Sequence, residues 1–131
     1  MVAPVVRFRI DFSPQCGLAP ANMDLLEAIR TTGSLSRGAR GLGMSYRRAR
    51  LLLDGFKGAF REPVTRAVRG GPGGGGILLT PFGESLLDHY RALEREFDSL
   101  ASERLSVFTA AASSARTSLT RGAERYAARR I

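Results

Sequence analysis

The pattern of hydrophobic and polar positions divides the chain into segments of different period. Near the start, Val6, Phe8, Ile10 and Phe12 alternate with Arg7, Arg9 and Asp11, the period of two expected of a strand with one buried face. Pro14 through Pro20 is punctuated by Gly17 and two prolines and reads as a loop leading into a helix capped at Asn22 or Asp24. Leu25, Leu26 and Ile29 form the apolar stripe of that helix, and Thr31-Thr32-Gly33 closes it. Ser34 can cap a short second helix whose Leu35, Ala39 and Leu42 recur at spacings of four and three, with Gly43 as the left-handed residue that ends it. Ser45 can cap a third helix. It carries Ala49, Leu52, Leu53, Phe56 and Phe60 on one stripe, with Tyr46, Arg47 and Arg50 on the opposite side near its N-terminus.

Beyond Phe60 the helical period stops, because Glu62 precedes Pro63 and is pushed out of the helical region. Val64 to Arg69 can form a strand and Ile77 to Thr80 its partner, joined by Gly70-Gly-Pro-Gly-Gly-Gly-Gly76. Thr80-Pro81 is then a helix start, a cap residue followed by proline at the first helical position. From there Leu86, Tyr90, Leu93, Phe97 and Leu100 recur at spacings of 4, 3, 4 and 3, a heptad seam. The seam is short for a coiled coil, yet longer than a small domain can cover, so pairing with a second copy is preferred to folding back on the core. The last residues, 109–131, are rich in Ala, Ser, Thr and Arg and read as a basic tail, partly helical at most.

Two capped helices around a glycine turn form a helix-turn-helix, which reads base edges with the N-terminal region of its second helix. A hairpin with a flexible loop directly after that helix is a wing. The expected fold class is mainly α with a small β wing: a winged helix-turn-helix over residues 1–80, a dimerisation helix over 81–108 and the tail over 109–131.

Charge sharpens this picture. The 131 residues carry a net charge of +8 and a pI near 11.1, which points to a polyanionic partner. The excess is local. Residues 34–76 hold nine basic side chains against Asp54 and Glu62, a balance of +7, whereas residues 77–108 come to −3. No apolar span or broad-faced basic amphipathic helix is evident, so nucleic acid is favoured over a membrane, and for a helix-turn-helix the expected partner is double-stranded DNA. Arginine outnumbers lysine nineteen to one, which suits bidentate contacts to phosphate and guanine but also follows from a GC-rich genome.

Other chemistry finds little support. Cys16 is the only cysteine and His89 the only histidine, so neither a disulfide framework nor a zinc finger can be assembled within one chain. Glu94, Glu96 and Asp98 do not all share one side of their helix and are not read as a catalytic pair. The glycine loop lacks the Gly-Lys-Ser or Gly-Lys-Thr of a nucleotide-binding loop and opens a strand instead of a helix. As a wing it lets backbone amides approach phosphates closely, with Arg69 at its entrance; as a plain linker it is only flexible. No catalytic residue, metal or cofactor is expected, and with no leader evident the cytoplasm is the expected location.

Leu25-Leu-Glu-Ala-Ile29, Thr32-Gly-Ser-Leu-Ser36, Leu42-Gly-Met-Ser-Tyr46, the glycine loop and Leu79-Thr-Pro-Phe-Gly83 together resemble the N-terminal DNA-binding domain of the ModE-type molybdate-dependent transcriptional regulators, relatives of the LysR-type winged helix. The resemblance covers about residues 5–105. It implies a homodimer formed through the helix after Thr80, with each recognition helix in a major groove and each wing alongside. Matched position by position, it assigns base and phosphate reading to Ser45, Tyr46, Arg47 and Arg48. Family members often carry Trp where this chain has Arg50 and a basic residue where it has Pro72, so an operator sequence does not transfer. Full-length members sense molybdate through C-terminal domains that are not expected within these residues, so molybdate responsiveness is not expected and any effector is left open.

The reading is therefore a dimeric, sequence-specific DNA-binding regulator. Its expected DNA-contacting residues are Ser34, Ser36, Ser45, Tyr46, Arg47, Arg48, Arg50, Arg69, Gly73 and Gly74, and its dimer seam is Leu86, Tyr90, Leu93, Phe97 and Leu100. The alternative is a protein-interaction module that uses the wing and long helix to bind an acidic partner, with only nonspecific DNA binding.

Overall fold

The computed structural model of the chain describes residues 4–70 and 75–111. They fall into two compact units, one spanning Phe8–Tyr90 and one made of the described residues of Met1–Arg7 and Arg91–Ile131.

The Phe8–Tyr90 unit opens with a hairpin of β1 (Ile10–Ser13) and β2 (Cys16–Leu18), antiparallel with Ile10 opposite Leu18 and Asp11 opposite Gly17. This corrects the sequence reading in two ways. Burial does alternate from Val6 through Ile10, but a ladder needs a partner, and only Ile10–Ser13 has one, so the strand starts late. The partner lies inside the segment expected to be a loop. A register shift between Asp11 and Ser13 takes Phe12 out of the alternation. Its exposed ring instead meets Phe60 edge-on with centroids 5.2 Å apart, and Phe60 meets Phe82 in the same way.

α1 (Pro20–Thr32) begins two residues before the earlier of the expected caps. Pro20 occupies the first turn, where its fixed φ suits a helix and its missing N–H is not needed. Asn22 then works from inside the helix: its N–H donates to the Ala19 carbonyl at 3.0 Å, and its Oδ1 accepts from the Ala19 N–H at 2.9 Å. Gly33, at φ 68, closes α1, and its N–H donates to the Ile29 carbonyl. α2 (Leu35–Gly41) and α3 (Tyr46–Ala59) follow with the expected caps.

β3 (Thr65–Val68) and β4 (Gly76–Leu79) pair antiparallel, Thr65 opposite Leu79 and Val68 opposite Gly76. Ile77 N–H of β4 also donates to the Gly33 carbonyl at 3.0 Å. Thr80 links this hairpin to the next helix: its hydroxyl donates to the Pro63 carbonyl at 2.7 Å and accepts from the Gly83 N–H at 3.0 Å. α4 starts at Pro81 as expected and continues to Ala111; its 31 residues correspond to roughly 46 Å of helix.

The core is one cluster built around Leu18, Met23, Leu26, Ile29, Phe56 and Leu87. Arg30 crosses to α4 outside it, 2.9 Å from Asp88 and 3.1 Å from Glu84. Hydrogen bonding first to Asp88 and then to Glu84 holds its guanidinium above the ordinary arginine value. The fold is thus mainly α with a small β wing, the winged helix-turn-helix read from the sequence.

In the other unit, Arg91 and Glu94 are both buried and pair at 2.8 Å. Residues 95–100 are exposed throughout, and Leu100 is 80% exposed. Most of the tail, 112–131, lies outside the described residues, while 109–111 form the end of α4.

Candidate nucleic-acid interface

The helix-turn-helix is positioned by small local devices. Ser34 Oγ accepts from the Arg37 N–H at 3.1 Å and starts α2, and Ser45 Oγ accepts from the Arg48 N–H at 3.1 Å and starts α3. Between them the chain reverses through Gly43 at φ 68, a conformation that costs a residue with Cβ roughly 1 kcal/mol or more. Met44 N–H donates to the Ala39 carbonyl at 3.0 Å and locks the turn.

α3 is seated by Ala49, Leu53 and Phe56, all buried. One polar contact adds direction: Asn22 Nδ2 donates to the Leu52 carbonyl at 2.8 Å, tying the start of α1 to the middle of α3. With that stripe facing inward, Tyr46, Arg47, Arg48, Arg50 and Leu51 are exposed.

The arginines on this face are not equivalent. Arg50 Nε lies 3.8 Å from Asp54 Oδ1, and Lys57 Nζ lies 3.7 Å from the same oxygen, so part of their charge is answered along the helix. Arg47 and Arg48 side chains have no ion pair or hydrogen bond among the described residues. A guanidinium with five unassigned donors on an exposed helix start is arranged to take a bidentate acceptor, either a phosphate or the O6/N7 edge of guanine. Ser34 engages its hydroxyl oxygen in the cap, whereas Ser36 is exposed on the first turn of α2.

On the wing, Arg66 and Arg69 are exposed. Gly73 and Gly74, expected to contact DNA, lie outside the described residues, as does Pro72. A cleft of about 370 Å³ separates α3 from β3, and Arg50, Lys57 and Arg61 line it together with Asp54 and Glu62. Leu51 and the exposed Arg37, Arg40, Arg61 and Arg66 are not marked out by spacing in the sequence. The arginines were legible only as part of a regional charge excess, while Leu51 carried no signal until the buried stripe fixed which way α3 faces.

The expected dimer seam divides. Tyr90 is only 2% exposed; its ring stacks on Phe8 with centroids 4.6 Å apart, and its hydroxyl donates to the Phe8 carbonyl at 2.9 Å. That ring is engaged within its own chain and is not available to a second copy. Leu86 and Leu93 are half-buried, and Phe97 and Leu100 are exposed. Cys16 is half-buried, and no cluster of three or more His, Cys, Asp or Glu that could hold a metal occurs among the described residues. No described helix is long and apolar enough to cross a membrane.

No family model matches the chain. Individual relatives do. The molybdenum transport protein ModE of Azotobacter vinelandii is 37% identical over 102 residues, 78% of this chain and 37% of that protein. The transcriptional regulator ModE of Yersinia pestis is 35% identical over 104 residues, 76% of this chain and 40% of that protein. The DNA-binding transcriptional dual regulator ModE of Escherichia coli K12 is 32% identical over 88 residues, 64% of this chain and 34% of that protein.

The chain is a homologue of the ModE regulators. It spans little more than a third of the length of these curated ModE relatives.

Proposed function

We propose that this chain is the DNA-binding part of a ModE-like transcriptional regulator that acts as a homodimer on a two-fold site in the cytoplasm, without catalysis. The observation that carries the reading is the start of α3: Arg47 and Arg48 follow a serine-capped turn with no partner of their own among the described residues. Such a helix start places two cations and oriented backbone N–H groups together, the arrangement that docks a recognition helix in a major groove. Arg66 and Arg69 on the hairpin give a second cationic row for the flanking backbone. The Escherichia coli relative is a DNA-binding transcriptional dual regulator, which supports the same reading.

Dimerisation is proposed through Leu86, Leu93, Phe97 and Leu100, because Leu100 is 80% exposed within a heptad register. Ser34, Ser36, Ser45, Tyr46, Arg47, Arg48, Arg50, Arg69, Gly73 and Gly74 are retained as the proposed DNA contacts.

Selecting bound duplexes from a random pool tests the reading. A regulator enriches a palindromic sequence and loses affinity steeply as salt rises. Enrichment of no sequence, with binding that salt simply abolishes, returns the chain to the protein-interaction alternative.

A further inference from the structure

Among the described residues of the Phe8–Tyr90 unit, Leu51 is the most exposed large hydrophobic residue, at 64%. It lies on α3, whose other leucines turn inward, Leu53 buried and Leu52 half-buried. Leu51 is four residues after Arg47, so the two share a face with Leu51 about 6 Å further along the helix axis. Its neighbours on the helix surface, three and four positions away, include Arg47, Arg48 and Asp54, all exposed. Leu51 belongs neither to the core cluster nor to the lining of the neighbouring cleft, so packing within the unit does not account for a branched apolar side chain here.

The major groove offers one apolar group per A·T pair, the C5 methyl of thymine. An advance of about 6 Å along α3 corresponds to roughly two base-pair steps of 3.4 Å for a helix lying along the groove. We infer that Leu51 is a specificity-determining residue that packs against a thymine methyl about two base pairs from the base read by Arg47. This inference rests on the DNA-binding reading and deepens it: the same helix face would join a polar reader to an apolar one. The cationic surroundings favour DNA as the occupant over the apolar knob of a protein partner.

Uracil differs from thymine in a base pair only by that methyl, which makes the test direct. The duplex enriched from a random pool by the full chain is resynthesised with each thymine replaced singly by deoxyuridine, and binding is measured for the parent and for Leu51→Ala. The expected result is one thymine per half-site whose replacement weakens the parent about fourfold, the effect of losing one buried methyl. At that position Leu51→Ala loses nothing further, while it stays sensitive to the base read by Arg47. A parent indifferent to every uracil replacement overturns the Leu51 inference and leaves the DNA-binding reading intact, as does a Leu51→Ala loss that simply adds to each replacement. Enrichment of no sequence overturns both. Circular dichroism of Leu51→Ala, expected to match the parent, separates loss of reading from loss of fold.

Discussion

The backbone N–H of Ile77 donates to the carbonyl of Gly33 at 3.0 Å, so the second strand of the wing is tied to the turn that opens the helix-turn-helix. Gly76, just before it, makes this approach possible: a Cβ there would lie 2.8 Å from the Gly33 oxygen. The wing is therefore registered against the bundle by backbone as well as by side-chain packing.

Gly76→Ala should consequently cost stability by about 1–3 kcal/mol, the range for forcing an extra methyl into a filled site. Denaturant unfolding measures this, and DNA affinity should fall with the displaced wing while helical content is kept. A variant as stable as the parent would mean that the backbone contact yields without effect.

Asn22 offers a second test, because it serves two partners from a buried position. Asn22→Ala removes both the donor to the Leu52 carbonyl and the acceptor of the Ala19 N–H, and should destabilise by about 1–3 kcal/mol. Asn22→Asp keeps the acceptor but sets a carboxylate against the Leu52 carbonyl. Its loss should shrink as pH falls, because the protonated acid can donate again and folding then favours the proton-bound form. Unfolding curves at neutral and mildly acidic pH compare the two variants.

On the proposed DNA-contacting face, Arg47→Ala should weaken binding to the enriched site by about 1–3 kcal/mol and binding to random duplex by much less, if Arg47 reads a base. Equal losses on both would make it a phosphate contact. Arg50→Ala should cost less than Arg47→Ala, since Asp54 already answers part of its charge.

For the seam, Leu100→Glu, alone or with Phe97→Glu, should shift sedimentation toward a monomer and weaken binding to a two-fold site more than to a half-site. Leu100 is 80% exposed within one chain, so the single variant should keep its helical content by circular dichroism. Tyr90→Phe, by contrast, should leave assembly unchanged and lower stability, because its hydroxyl bonds Phe8 of the same chain.

The helix-turn-helix was legible because its information is local. Ser34, Gly43 and Ser45 each act on residues within one turn, and the stripe from Ala49 to Phe56 repeats often enough to fix one face. Long-range partners were not legible. Nothing near Cys16 announces that it opens a strand, because its ladder partners lie in Ile10–Ser13 across a turn. Tyr90 fits a heptad by spacing, yet Phe8, 82 residues earlier, takes its ring and hydroxyl. In the candidate site, the residue types at the start of α3 were readable, while the difference between Arg47 and Arg50 depends on where the Asp54 carboxylate points.

The two described tyrosines sit in opposite surroundings, Tyr90 sealed against Phe8 and Tyr46 54% exposed at the start of α3. With no tryptophan in the chain and Tyr126 as the third phenol, Tyr126→Phe leaves a protein whose ultraviolet emission has two separable sources. Quenching on titration with duplex would then report Tyr46, with Tyr46→Phe as the blank, and the emission change on denaturation of that blank would report Tyr90. The asymmetry between a capped helix start and a packed core thus makes this chain its own label-free optical probe of docking and of unfolding.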